Sequence, residues 1–250
     1  MALIAMAVHD TEENGRTKFT KRTLQCLQDT VDLTKHNLIC IDNNSCKETK
    51  ELLKDYNTIT FPENIGTAKA INTAWRLRND NEHLIKMDND VVIHYNNWVD
   101  EMEQTIECDP LIGILGLKRK DLLEDPYRND FYKSTLRMLK HRMGERWRIV
   151  EDVNHVMGTC QMYNYRLINK IGGLNQMGSL YGFDDSLASL RSQLAGFRNS
   201  FLPHIEIDHI DNGGTDYQKW KEETALSFMK LYNETKEGMT KGTIPIYYEL

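Results

Sequence analysis

The stretch that decides the fold is Leu84-Ile85-Lys86-Met87-Asp88-Asn89-Asp90-Val91-Val92-Ile93. Apolar, largely β-branched residues flank a short acidic interruption, a pattern that predicts a buried strand running out into a turn. Two carboxylates one residue apart repel each other there, and a divalent cation would relieve the repulsion. The stretch therefore suggests a metal–phosphate site in an α/β sheet. The alternative is a solvated Asp-Asn-Asp turn, which these residue types also favour.

The composition limits the class of protein. A chain of 250 residues can bury a substantial core, and we favour one large α/β domain over two small ones. No segment approaches the ~20 apolar residues that span a bilayer, and the apolar start, Met1 to Val8, fits a first strand better than a signal peptide. The five cysteines are scattered without metal-like spacing. These features predict a cytoplasmic protein.

Strands and helices alternate along the first third of the chain. Strands are predicted at Leu3–Val8, Asn37–Ile41, Thr58–Phe61 and the stretch with Asp88, with a helix between each pair. Neither a G-x-G-x-x-G motif after the first strand nor a P-loop is present, which argues against dinucleotide and P-loop proteins. Ligands of such sheets bind beyond the carboxyl ends of the strands. We therefore expect one crevice bordered by polar residues that follow the strands, namely Asp10, Asp42, Asn64, Gly66 and Asp88.

Two later segments carry further candidate residues. Asp184 and Asp185 open a predicted helix, where the helix dipole would stabilise them as anions, and one of them could act as a base. An ordinary helix start with an acidic first turn is the alternative. Residues 205–209 predict a last strand that ends at His209. A single histidine is more often structural or solvated than a metal ligand.

The net charge of −6 is unevenly distributed. Between Lys118 and Arg148 there are ten Lys and Arg against five Asp and Glu, which leaves −11 for the remainder. Within this segment, Asp130–His141 has helical character with weak apolar periodicity, so we predict a surface helix or a lid. Basic residues interleaved with aromatic ones suit nucleic acid, although a solvated charged face is the more common explanation.

These motifs, taken in their order and spacing, resemble the family 2 glycosyltransferases of the GT-A fold over about residues 3 to 210. The residues that carry the resemblance are Asp42, Asn64-x-Gly66 with Ala70 and Asn72, Asp88-Asn89-Asp90, Gly158-Thr159-Cys160, Ile171-Gly172-Gly173-Leu174, Gly182-Phe183-Asp184-Asp185 with Leu187 and Arg191, Gly196-Phe197, Pro203 and His209. The resemblance implies an α/β nucleotide-diphospho-sugar transferase fold, a Rossmann-like mixed sheet flanked by helices. It places a nucleotide-binding half at 1–95 and an acceptor half at 96–212, followed by a helical C-terminal extension at 213–250.

The resemblance also implies an activity. Such enzymes transfer a sugar, with inversion, from a nucleotide-diphosphate sugar to a hydroxyl acceptor, and they use Mn²⁺ or Mg²⁺ held by a D-x-D motif; a UDP-sugar is the expected donor. Position by position, Asp90, Asp88 and His209 correspond to metal ligands. Asp185 corresponds to the catalytic base with Asp184 as the alternative, and Asp184 departs from the family pattern, where a glutamate is more usual. The donor-binding positions are His9, Asp10, Asp42, Asn64, Gly66, Lys69, Asp88, Asn89, Gly158 and Gly182.

Three other functions remain open at this stage. The same transfer could act on a hydroxymethylated base in DNA, which the segment Lys118–Arg148 would bind. A sugar-nucleotide nucleotidyltransferase has a similar sheet, but its glycine- and arginine-rich loop is missing after Val8. A binding module for metal or nucleotide sugar without catalysis is the third. The C-terminal extension is predicted as a helix to about Lys236, followed by an edge strand at Ile244–Tyr248 or a segment that folds over the donor.

Overall fold

The computed structural model describes residues 1–122, 134–140, 147–211 and 216–250. Their strands form one mixed sheet. The strands are β1 (Ala2–Val8), β2 (Asn37–Asn43), β3 (Thr58–Phe61), β4 (His83–Met87), β5 (Val91–Ile93), β6 (Ile112–Arg119), β7 (Thr135–Lys140), β8 (Trp147–Val153), β9 (Cys160–Tyr163) and β10 (Arg198–His209). The strand order is β3-β2-β1-β4-β9-β6-β10-β8-β7, and β5 pairs with β10.

Helices cover both faces of this sheet. They are α1 (Thr17–Thr30), α2 (Lys47–Leu53), α3 (Thr67–Trp75), α4 (Trp98–Cys108), α5 (Tyr165–Ile171), α6 (Asp184–Leu194), α7 (Asp216–Ser227) and α8 (Met229–Lys241). Alternate side chains of β1 point to opposite faces, as strand geometry requires. Ile4 and Met6 join a core with α1 and α4, whereas Leu3 and Ala5 join a second core with α3, α5 and α6. The predicted α/β architecture is confirmed.

The sheet topology brings distant strand ends to one edge. Strands β1 to β4 are parallel, and β9 runs antiparallel to both β4 and β6. Strands β6 and β10 are parallel to each other, so they run in the same direction as β4. The residues that end β1, β2, β4, β6 and β10 therefore lie along the same edge. This is the geometry that the crevice predicted from the sequence requires.

The helix predicted at Asp130–His141 is wrong in its described part. Residues Thr135–Lys140 form strand β7, which pairs antiparallel with β8. Successive side chains of β7 point to opposite faces, and pairing with β8 buries Leu139 beside Val150 while Leu136 and Met138 stay exposed. Residues 130–133 and 141 lie outside the described part of the chain, and the notion of a lid there stays a prediction.

Two helices, rather than the single one predicted, make up the C-terminal region. Helix α7 ends at Ser227 and α8 begins at Met229. The predicted edge strand is reduced to one bridge between Gly172 and Tyr248. Arg191 links this C-terminal segment to the rest of the fold. Its Nε donates to the carbonyl of Ile246 at 2.6 Å, and its other nitrogens donate to the carbonyls of Gly173 and Ile171. One buried guanidinium thus satisfies three carbonyl groups.

Replacing Arg191 should destabilise the fold rather than the chemistry. The apolar substitution Arg191→Met keeps much of the side-chain volume and leaves three carbonyls without their donors, which costs about 3 kcal/mol of unfolding free energy. Urea denaturation followed by circular dichroism measures this cost. Arg198→Met is the control, because Arg198 is 46% exposed at its side chain and pairs with Asp109 at the surface, where such pairs contribute little. Equal losses of unfolding free energy in both variants would contradict the structural role assigned to Arg191.

Two buried histidines make stability depend on pH. The backbone N–H of Ala2 donates to Nδ1 of His36 and that of Tyr165 donates to Nδ1 of His83. Burial lowers the pKa of each ring to about 4. Unfolded histidines titrate near 6.5, so between pH 6.5 and 4 the unfolded chain binds protons that the folded chain excludes. The stabilisation is complete above pH 6.5 and is lost as the pH falls towards 4.

We therefore expect the free energy of unfolding to fall by up to about 3 kcal/mol per histidine between neutral pH and pH 4. Urea titrations across this range measure the slope. The double variant His36→Gln/His83→Gln should show a flatter profile. A profile with the wild-type slope would contradict the prediction.

Candidate active site

A cleft of about 320 Å³ opens at the edge where the parallel strands end. Strand ends, the turn after β4, the start of α6 and helix α7 border it. Most of the site residues predicted from the sequence line it, namely His9, Asn64, Asp88, Asn89, Asp90, Gly158, Gly182, Asp184, Asp185 and His209. Asp90 and Asp185, which are 95 positions apart in the chain, thus face one cavity. The predicted convergence of separate acidic residues is present in the fold.

Asp90 lies at the deep end of the cleft and is almost fully buried. Its Oδ2 accepts a hydrogen bond from Arg16 at 2.6 Å and lies 3.4 Å from Nε2 of His209. Burial alone would favour the neutral acid, but His209 and Arg16 outweigh it and hold the pKa of Asp90 below its usual range. Its Oδ1 has no hydrogen-bond partner among the described residues. Asp90 is therefore an anion with one oxygen unused.

The carboxylates of Asp88 and Asp90 repel each other, as the sequence predicted. Burial, with the neighbouring charge of Asp90, raises the pKa of Asp88 to about 6, although Lys86 and Lys221 oppose the rise. Together with His209, these carboxylates supply the oxygen and imidazole ligands that suit Mn²⁺ or Mg²⁺. The unused Oδ1 of Asp90 is the observation that makes a divalent cation fit here. The hydrogen bond from Arg16 occupies the other oxygen.

Sequence reasoning missed Arg16. Its guanidinium is buried and bridges Asp90 and Asp211, and one nitrogen also reaches Oδ1 of Asn89 at 3.3 Å. The ring of Tyr217 lies 4.9 Å from its Cζ, close enough for a cation–π contact. The sequence shows only an arginine ahead of a helix, and its partners are 74 and 195 positions away. No local pattern could have predicted these pairs.

The two carboxylates that open α6 have different surroundings. Asp184 pairs with the buried ammonium of Lys86 at 2.8 Å. Burial disfavours the charged lysine, but Asp184 outweighs it and raises the pKa of Lys86 well above its usual value. Asp185 instead accepts the backbone N–H of Gly158 at 2.9 Å, with Nε2 of His155 at 3.6 Å, and its side chain is 25% exposed. The geometry leaves Asp185 the more accessible of the two.

Four of the predicted donor-binding residues do not line the cleft. Asp10 is buried beneath it, where its carboxylate accepts hydrogen bonds from Thr20 and from Asn89 at 2.9 Å. Asp42 is also buried and bonds the N–H of Ser45, while its Oδ2 has no partner in the described part of the chain. Gly66 and Lys69 lie at the start of α3, where the N–H of Lys69 donates to Gln176. Asp10 therefore does not face the cavity itself, and its hydrogen bond holds the side chain of Asn89, which does.

Helix α7 forms one wall of the cleft, and none of its residues was among the predicted site residues. Its side chains Tyr217, Gln218, Trp220 and Lys221 all line the cavity. The ammonium of Lys221 lies 4.9 Å from the ring centroid of Tyr217 and 5.1 Å from that of Tyr181. Burial lowers the pKa of Lys221, against the attraction of Asp90 and Asp88. The cleft thus combines an aromatic wall with positive charge, to which Arg16 and Lys221 contribute.

A second cluster of possible metal ligands lies at the opposite edge of the sheet. Among the described residues, His36, Asp100 and Glu103 bring three ligand atoms within 4.8 Å of one another. Nδ1 of His36 accepts the N–H of Ala2, so the neutral ring carries its proton on Nε2, which points at Asp100 from 3.5 Å. A metal would need the lone pair of that nitrogen. This cluster does not fit a metal ion.

The chain has the features of the GT-A fold of nucleotide-diphospho-sugar transferases. These features are the mixed sheet, the carboxylate-bearing turn after β4 and the acidic start of α6. The family model of Glycosyl transferase family 2 matches residues 14–172, about two thirds of the chain, so the chain belongs to that family. No curated protein matches the sequence. In the described residues, no helix has the length and apolarity needed to cross a membrane.

Several solved structures share the fold. A mannosyltransferase from Pyrobaculum calidifontis in complex with GDP-Man and Mn²⁺ is similar with a TM-score of 0.65 at 14% identity, over 88% of this chain. GalNAc-T7 with UDP, GalNAc and Mn²⁺ gives 0.61 at 12% identity over 97%, and TarS from S. aureus with UDP-GlcNAc gives 0.60 at 14% over 93%. The chain spans 59%, 51% and 65% of these three proteins, respectively.

Proposed function

We propose that the protein is a metal-dependent, inverting glycosyltransferase that moves a sugar from a nucleotide-diphosphate sugar to a hydroxyl acceptor. The observation that carries the proposal is the single cleft lined by Asp88, Asp90 and His209 and also by Asp185. Inverting transfer needs a charge-neutralising site for the departing diphosphate and a base for the incoming hydroxyl. We assign the nucleotide-binding half to residues 1–95, the acceptor half to 96–212 and the extension to 213–250.

Asp185 is our choice for the base. A sugar hydroxyl is a weak nucleophile, so a carboxylate must accept its proton as the new bond to the anomeric carbon forms. The N–H of Gly158 holds one oxygen of Asp185 in place, and the side chain remains accessible from the cleft. Asp184 is committed to Lys86 and cannot take a proton without leaving a buried ammonium unpaired.

The opposite end of the cleft suits the leaving diphosphate. Asp90, Asp88 and His209 would hold Mn²⁺ or Mg²⁺, which when bound neutralises the charge that develops on the leaving phosphate oxygen. Arg16 and Lys221 line the same end and add positive charge there. His9, Asn64 and the aromatic wall of α7 offer polar and stacking surfaces to a nucleoside.

The donor is proposed to be a UDP-sugar. The ligands bound in the similar structures include UDP and UDP-GlcNAc, and also GDP-Man, so they support a nucleotide sugar in general. The five cysteines are free thiols, which suits a reducing compartment, and we propose a cytoplasmic location. The acceptor is proposed only as a hydroxyl-bearing molecule, because the described residues of Lys118–Arg148 offer no stacked aromatic platform for DNA bases.

The decisive experiment incubates the protein and Mn²⁺ with a panel of UDP-, GDP- and other nucleotide sugars and measures the release of nucleoside diphosphate. Release with one donor, abolished by EDTA and restored by Mn²⁺, supports the proposal, and NMR of the product reports the anomeric configuration. Binding of a nucleotide sugar without release, even with acceptors added, would instead indicate a binding module. Formation of nucleoside triphosphate from pyrophosphate would indicate a nucleotidyltransferase.

A further inference from the structure

The hairpin of β7 and β8 exposes an apolar face that lies outside the cleft. Its members are Leu136 (69% exposed), Met138 (63%), Trp147 (57%) and Ile149 (46%), which we call the hairpin face. The strand register places Met138 opposite Ile149, so their side chains lie on the same side of the sheet. The other side is packed: Leu139 and Val150 are buried there in the core that includes α4. The hairpin face is thus the outer surface of a well-anchored element.

Positive charge accompanies this apolar surface. By sequence, residues 133–148 contain six Lys and Arg but only one acidic residue, Glu145. Arg137 pairs with Asp109 and Asp152, and Arg148 pairs with Glu101, so these two arginines fasten the packed side. Lys140 lies opposite Trp147 at the rim of the hairpin face, with its ammonium 5.8 Å from the ring centroid. By sequence, the segment contains four basic residues besides these two, and Lys140 is the one that lies in the described part of the chain.

We propose that the hairpin face docks on an anionic lipid surface, with its aliphatic side chains and Trp147 in the interfacial layer and Lys140 at the level of the headgroups. Exposed aliphatic residues beside a tryptophan and basic residues are the combination that binds membrane interfaces. A long lysine side chain can lie along the apolar layer while its ammonium reaches the phosphates. The proposal is independent of the transfer reaction and stands whether or not the acceptor is a lipid.

Two other occupants fit the charge and the shape less well. A second copy of the chain, paired through the edge of β7, would bring two strongly basic segments together, and their repulsion opposes such a dimer. A nucleic acid would satisfy the charge, but three of the four apolar side chains are aliphatic and offer no ring on which bases stack. An anionic lipid surface satisfies both the charge and the aliphatic character.

Cosedimentation with vesicles tests the proposal on the full chain. We expect the wild type to bind vesicles of phosphatidylcholine with phosphatidylglycerol at low salt and to bind vesicles of phosphatidylcholine alone much less. Met138→Glu/Ile149→Glu should weaken binding to the anionic vesicles at least about tenfold, because it removes apolar contact and adds repulsion. The matched control is Leu77→Glu/Leu111→Glu, which makes the same charge change at two exposed leucines elsewhere. It should bind within about twofold of the wild type.

Tryptophan fluorescence provides a second readout that does not depend on a charge change. Trp147 is exposed, whereas Trp75 and Trp98 are fully buried. Anionic vesicles should shift the emission of the wild type to shorter wavelength, and Trp147→Phe should lose that shift while keeping the circular dichroism spectrum of the wild type.

Three results would overturn the proposal. One is the absence of wild-type binding to anionic vesicles at low salt. Another is equal weakening of vesicle binding in the hairpin variant and the control variant. The third is a different partner that depends on the same face: a dimer seen by light scattering, or an oligonucleotide complex without vesicle binding, that Met138→Glu/Ile149→Glu abolishes.

Discussion

Asp185→Asn should lower the rate of sugar transfer by about 10² to 10⁴-fold, the contribution of a positioned general base. The amide cannot accept the hydroxyl proton, yet its size and shape are nearly those of the carboxylate. Asp185 is partly exposed and accepts two backbone N–H groups rather than pairing with a buried cation, so the variant, which keeps one acceptor oxygen, should fold with only a small loss of stability. Initial rates of nucleoside diphosphate release, with the acceptor present, measure the effect. Full activity in this variant would refute the assignment of the base.

The neighbouring substitution Asp184→Asn is the control, because it should lower stability more than the rate of transfer. It leaves the buried ammonium of Lys86 without its carboxylate partner, at a cost of about 3 kcal/mol in the free energy of unfolding. The catalytic base remains in this variant. We therefore expect a lower free energy of unfolding in urea denaturation, and a smaller change in the transfer rate of the folded protein. If Asp184→Asn abolished transfer at full stability while Asp185→Asn stayed active, the roles of the two residues would be exchanged.

Asp90→Asn should reduce transfer by about 10² to 10³-fold at saturating donor and raise the Mn²⁺ concentration needed for half-maximal rate. The substitution removes the anionic oxygen that has no partner within the described structure. The variant should still fold, because Arg16 keeps its contact with Asp211. Titration of the rate with Mn²⁺, together with calorimetry of the metal and nucleoside diphosphate, separates loss of metal binding from loss of catalysis.

Asp208→Asn is the matched control for Asp90→Asn. Asp208 precedes His209 in β10, but its side chain is 40% exposed and pairs with the exposed His94 outside the cleft. It removes the same charge from a nearby position, so we expect a rate within about twofold of the wild type, as for most surface substitutions. Equal losses in the two variants would mean that general electrostatics, rather than a metal ligand, explains the effect of Asp90→Asn.

The sequence predicted what local patterns encode. The period of apolar residues identified the parallel strands, and the acidic interruption at Asp88 marked the edge where the cleft opens. Residues that follow strands, such as His9, Asn64 and His209, converged because topology forces the ends of parallel strands together. The order of these motifs was enough to identify the family.

Contacts between distant residues were not predictable in this way. Arg16 and Lys86 find their acidic partners only after folding, because each pair joins segments at least 74 positions apart. The segment around Met138 was predicted as a surface helix or a lid on its helical character, whereas pairing with β8 makes it a strand. Helix α7 shows no apolar stripe in the sequence because it places its side chains over a polar cleft instead of a core.

The bridge that Arg16 makes between Asp90 and Asp211 means that part of the negative charge at this corner of the cleft is balanced by the polypeptide itself. The proposed ion would bind at the oxygen of Asp90 that Arg16 leaves unused, so the architecture forms before the ion arrives. A chelator should abolish the activity of such an enzyme without unfolding it, and adding the ion back should restore turnover with no refolding step. On the proposed function, the ion serves the reaction, and folding proceeds without it.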